Sequence, residues 1–222
     1  MITIANFQKK NFFIVALLLA VLLVSLKWIF SYLYFDEDII LRVINDSTDG
    51  SYYPIIKSYS EFNFSPSYSK ILSDLKIISF PVLGLIVNSF FYKIIGGYSF
   101  VFLEIIGSTF FLYIFCKIFQ KIDFSIFFSV ICAIFLFILP TILNDLTFLN
   151  IKFLNLLSSN FEKFYSMRFP RPIISNLFFF AYLYFLIDFY LKKEFFTKNF
   201  YILSILMGIT INAFFYLFFI EF

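Results

Sequence analysis

The chain has 222 residues, 62% hydrophobic and 14% charged, with a mean hydropathy of +0.93 and a net charge of +3. A soluble domain carries roughly 45–50% apolar and about 25% charged residues, so this composition excludes an ordinary soluble fold and predicts an all-α polytopic membrane protein. The absence of histidine removes Ser-His and Cys-His catalysis and the commonest zinc sites, and no basic stretch points to nucleic acid.

In chain order, an uncharged run from Asn11 to Leu26 opens the first span, which continues through Trp28, Tyr32 and Tyr34. Those aromatic residues favour the membrane–water boundary. Lys9 and Lys10 give the span a positive start, but Val24-Ser25-Leu26-Lys27 lacks a small-residue cleavage site. It therefore reads as an uncleaved anchor with a cytoplasmic N-terminus. Five more apolar stretches follow: Ile77–Ile95, Tyr98–Phe119, Phe124–Leu143, Ile173–Leu191 and Phe200–Phe222. Cys116 and Cys132 fall inside apolar segments, so no structural disulfide is expected.

Six spans would leave Lys117, Lys121, Lys192, Lys193 and Lys198 outside, against the tendency of basic residues to stay in the cytoplasm. Placing Ile77–Ile95 on the outer face, as a juxtamembrane or re-entrant helix, moves every cluster inside. Seven lysines then oppose Asp123 and Glu194, a net of +5. Pro81, Gly84, Asn88 and Lys93 interrupt that stretch and Gly96-Gly97 ends it, a usual helix stop. The prediction is a single transmembrane domain over 1–222, with about five spans, one outer-face helix, and outer loops at 36–76 and 144–172. Short inner turns and long outer loops put any chemistry on the outer face. Within the first loop, Ile39-Ile40-Leu41 and Tyr52-Tyr53-Pro54-Ile55-Ile56 need apolar cover, which predicts short helices against the membrane.

Asp36, Glu37 and Asp38 stand where the first span ends. They suit the positive end of a helix dipole over Ile39–Ile44. They equally suit a general base at a low-dielectric wall, where a carboxylate holds protons more tightly. Asp36-x-Asp38 also has the spacing of a two-carboxylate clamp for a divalent cation. A second cluster, Met167-Arg168-Phe169-Pro170-Arg171-Pro172, precedes the fourth span; its prolines predict an extended backbone. Arg168 and Arg171 would either anchor to lipid phosphates or recognise a lipid-linked phosphate through paired hydrogen bonds. Glu104 lies about 9 Å inside its span and should face protein, water or Lys93. Asp188 precedes Lys192 by four residues, the spacing of a helical ion pair, and Asn212 predicts a helix–helix hydrogen bond.

With these residues placed, the chain resembles the N-terminal half of GT-C type membrane glycosyltransferases, such as protein mannosyltransferases and aminoarabinose-type lipid transferases. The likeness rests on Phe35-Asp36-Glu37 after one span, a long outer loop, then Phe80-Pro81-Val82-Leu83-Gly84, a helix, and Gly96-Gly97 before the next span. Two positions depart from the family: Ser79-Phe80-Pro81 where relatives commonly have His-Pro-Pro, and Glu104 where they often carry arginine nearby. Such enzymes usually have more spans, so the expectation is the N-terminal portion of a larger module. The resemblance implies an enzyme of the cytoplasmic (inner) membrane that moves a sugar from a polyprenyl-phosphate donor to a glycan, lipid or protein acceptor. It implies that Asp36 is the catalytic base, with Glu37 beside it. The competing expectation is a non-catalytic polytopic protein: a transporter or flippase part, or an assembly subunit.

Overall fold

A computed structural model describes residues 2–35, 38–40, 43, 52–64, 82–145, 151–153, 155, 171–192 and 198–213. The described residues contain no strand and form seven principal helices. They are α1 (Ile2–Phe35), α2 (Tyr53–Ser60), α3 (Val82–Ile95), α4 (Tyr98–Lys121), α5 (Ile126–Asp145), α6 (Arg171–Lys192) and α7 (Lys198–Ala213). The all-helical expectation holds. Two helices, Phe12–Phe30 within α1 and Tyr98–Lys121, are long and apolar enough to cross a membrane.

The faces of α1 show what the composition does. Phe12, Ala16, Ala20 and Val24 recur every fourth residue and are buried, whereas Leu18, Leu22 and Leu26 recur at the same spacing and are exposed. Both faces are apolar and differ in size rather than polarity. Alanine at the contact lets two helix backbones approach closely, as helices packing inside lipid require. The 34-residue α1 is about 51 Å long, more than a hydrocarbon core of about 30 Å.

The central helix is α4, against which α1, α5 and α6 all pack. Phe12 meets Tyr113 at 6.1 Å while Trp28 reaches Glu104, so α1 runs antiparallel to α4. Phe180 meets Phe111 at 5.6 Å and Phe115 at 4.7 Å, and Asp188 meets Lys121, so α6 runs parallel to α4. These edge-to-face rings, with Phe179, form the middle of the core; each such pair contributes about 0.5–1.5 kcal/mol beyond its area.

The α4–α5 hairpin closes through a helix stop that its sequence does not advertise. Asp123 takes φ 64°, Phe124 N–H donates to the Phe119 carbonyl at 3.1 Å, and the two rings stack at 5.6 Å. This is the left-handed C-terminal motif normally built on glycine, together with its hydrophobic contact. Ser125 then caps α5, its Oγ accepting from Phe128 N–H at 3.4 Å. At Gly96, by contrast, the sequence signal holds: φ is +60°, and the N–H donates to the Tyr92 carbonyl at 2.8 Å. Gly97 serves packing instead, since a Cβ there would lie 3.0 Å from Ile40.

Two ends result. The start of α1, the α4–α5 turn, the end of α6 and the start of α7 share a lysine end, with Lys117, Lys121 and Lys198. The end of α1, the start of α4 and the start of α6 share the opposite end. There α2 and α3 pack on each other, burying Ile55, Ile56, Tyr59, Leu85 and Phe100 against Trp28, Tyr53 and Tyr92. The expected short helix near Tyr53 and the short helix before Gly96 are both present. At 14 residues, α3 is about 21 Å long, too short to cross a bilayer upright.

Candidate functional site

Polar groups along the helices mostly bond to their own backbone. Asn88, Ser89, Thr109, Ser129, Ser204 and Thr210 each donate to the carbonyl four residues back. Asn212 does the same, to Gly208 at 3.3 Å, and is exposed. The helix–helix bond expected of Asn212 is therefore replaced by a local one, because the acceptor one turn back is always within reach. Ser99 and Ser108 differ: their hydroxyls are fully buried with no hydrogen-bond partner among the described residues.

At the aromatic end, the polar focus is Glu104. Its carboxylate is 5% exposed, and its Oε2 accepts from Trp28 Nε1 at 2.7 Å. A buried carboxylate needs such donors, because desolvation costs several kcal/mol. Of the expected settings, protein, water or Lys93, Glu104 takes the first. Lys93 is exposed and stands 3.6 Å over the Phe62 ring. That contact belongs to a second left-handed helix stop: Phe62 has φ 60°, and Asn63 N–H donates to the Ser58 carbonyl at 3.0 Å. Beside it, the Tyr53 and Tyr92 hydroxyls lie 3.0 Å apart. Burial, the Tyr53 hydroxyl and the charge of Glu61 together push the Tyr92 phenol up to about 12.

The lysine end is organised by Asp188. One carboxylate oxygen pairs with Lys121 on α4, and the other accepts from Asn199 Nδ2 on α7 at 2.5 Å. Asp188 is 6% exposed. These partners lie on other helices; the Lys192 side chain, to which the sequence spacing pointed along α6, lies outside the described residues. One side chain thus holds three helices together.

The predicted site residues divide sharply. Asp36, Glu37 and Arg168 lie outside the described residues. Asp38 is exposed and outside any helix, although Ile39, Ile40 and Val43 after it are helical. Arg171 and Pro172 form the first turn of α6 and are not extended. Proline suits that turn, since its fixed φ is already helical and its missing N–H would have had no partner there. What is brought together is the end of α1 and the start of α6, at the same end of the bundle. Among the described residues no three Cys, Asp or Glu side chains converge as a metal centre, and exposed Asp38 by itself does not make one.

Sequence reasoning missed the Trp28–Glu104 bond and the three-helix role of Asp188. Trp28 was visible as a boundary aromatic and Glu104 as a carboxylate in need of a donor. Pairing them requires knowing that α1 and α4 are antiparallel. Comparisons with protein-family models, curated proteins and solved structures find no match for this chain.

Proposed function

We propose that the chain is an integral protein of the cytoplasmic membrane with its lysine end in the cytoplasm. In this reading α1, α4, α5, α6 and α7 cross the bilayer, while α2 and α3 cover the outer end. We further propose that it is a glycosyltransferase of the GT-C type, acting at that outer end on a polyprenyl-phosphate-linked sugar. The observation that carries the reading is the shared end: α1 finishes at Phe35, directly before Asp36, where α6 begins with Arg171. A base and a phosphate-binding group need one aqueous compartment, and Lys117, Lys121 and Lys198 lie at the other end.

Asp36, with Glu37 beside it, removes the proton from an acceptor hydroxyl as its oxygen attacks the anomeric carbon. The bond from that carbon to the phosphate oxygen breaks, and polyprenyl phosphate leaves carrying the electron pair. Arg168 and Arg171 meet its charge through paired hydrogen bonds. A single displacement inverts the anomeric centre.

The test is Asp36→Asn in the full chain, with transfer measured from a radiolabelled polyprenyl-phosphate sugar and membrane insertion followed in parallel. The reading expects transfer to fall by about 10²-fold or more with insertion intact, the scale on which general-base loss acts. Transfer at the wild-type rate removes Asp36 from the role. No transfer by the wild type favours a non-catalytic membrane subunit.

A further inference from the structure

We infer that Glu104, acting through Trp28, is a positioning residue that sets where α1 leaves the bundle, and so where the carboxylates after it stand. The inference rests on the proposed function for its catalytic meaning, but the tie itself is independent of it. Three observations converge. Trp28 lies seven residues, two helical turns, before Phe35, so its anchoring governs the last part of α1. Its indole N–H is held at 2.7 Å by a carboxylate on the central helix. The same ring packs against the α2–α3 cover, beside the cluster of Val43, Ile55, Ile56, Tyr59, Leu85 and Phe100.

Trp28 bonds the last two turns of α1 to α4. A carboxylate makes a shorter and stronger bond to an N–H than a neutral acceptor does. The chain keeps an acidic side chain in an apolar span at this point, where intramembrane carboxylates usually mark function. A positioning role explains why it stands next to Trp28 and not at the middle of the bundle.

The experiment uses the full chain in proteoliposomes, on a C116A/C132A background with a single reporter, D38C. The rate of modification by a membrane-impermeant maleimide is compared for the parent, W28F, E104L and E104Q. W28F keeps the aromatic bulk and loses only the N–H; E104Q keeps an oxygen that accepts from it. W28F and E104L are expected to change the labelling rate by about tenfold, the shift in local opening that follows loss of one charge-assisted hydrogen bond. E104Q is expected to give a rate between those of E104L and the parent, because it retains an acceptor but a weaker, neutral one. Should E104L fail to insert, as judged by labelling at Q120C from the opposite side, W28F alone decides.

Parent-like labelling in W28F overturns the tie, and so does E104Q behaving as E104L does. With a radiolabelled polyprenyl-phosphate sugar as probe, W28F is expected to lower kcat about tenfold with KM for the donor unchanged. Shifted labelling alongside a wild type that transfers nothing upholds the tie and rejects the glycosyltransferase reading. Shifted labelling with unchanged kcat rejects the catalytic consequence.

Discussion

The two ends of the bundle solve the burial of a carboxylate differently. At the lysine end, Asp188 is matched by Lys121 and Asn199, and a tight turn joins α4 to α5. At the aromatic end, Glu104 is held by an indole, tyrosines pair through their hydroxyls, and two short helices cover the surface. The first arrangement neutralises charge and fixes three helices. The second bonds a carboxylate to an indole beneath a surface rich in hydroxyl and aromatic groups.

The comparison breaks most readily at Asp188. Asp188→Leu leaves Lys121 without its counter-charge in a position 29% exposed, and should cost about 2–3 kcal/mol, less than a fully buried pair would. Thermal unfolding in detergent measures this, and K121M/D188L should recover at least about half of the loss. At the aromatic end, Gly96→Ala forces a side chain into a left-handed position and should cost about 1–2 kcal/mol in the same assay.

Smaller effects sharpen the contrast. Phe62→Gly relieves the left-handed strain but removes the Lys93 contact, so the two should cancel to within about 0.5 kcal/mol. The smallest effect is in pH. The folded Tyr92 phenol ionises near 12, above its ordinary 10.0, because burial and the Tyr53 hydroxyl disfavour the anion. Its contribution to stability is complete below pH 10 and is lost as pH rises towards 12. Absorbance at 295 nm, wild type minus Y92F, should show one phenol ionising near pH 12; ionisation near 10 contradicts the Tyr53–Tyr92 pair.

Much of the helical plan was legible in the chain. Gly96-Gly97 announced its helix stop, and the apolar run from Asn11 onwards announced α1. The stops at Phe62 and Asp123 were not legible, because phenylalanine disfavours a left-handed backbone and aspartate, although it tolerates one better than most residues, is a far weaker signal than glycine. Tertiary contacts select them: Phe124 stacking on Phe119, and Lys93 over Phe62. For the same reason local spacing could not name Trp28 as a partner of Glu104 or Lys121 as a partner of Asp188, which sit 76 and 67 residues away. Local spacing sees one helix at a time; ion pairing in a bundle is decided between helices. Arg171-Pro172 shows the converse, since proline could equally mark an extended segment or the first turn of a helix.

The central claim is that the end of α1 and the start of α6 open to one aqueous compartment, and the α4–α5 turn to the other. Single cysteines at Asp38, Arg171 and Gln120, on the C116A/C132A background, can be labelled in intact cells with a membrane-impermeant maleimide. Labelling of D38C and R171C from outside, with Q120C reached only after permeabilisation, is the predicted result. Labelling of D38C and R171C from opposite sides contradicts the account.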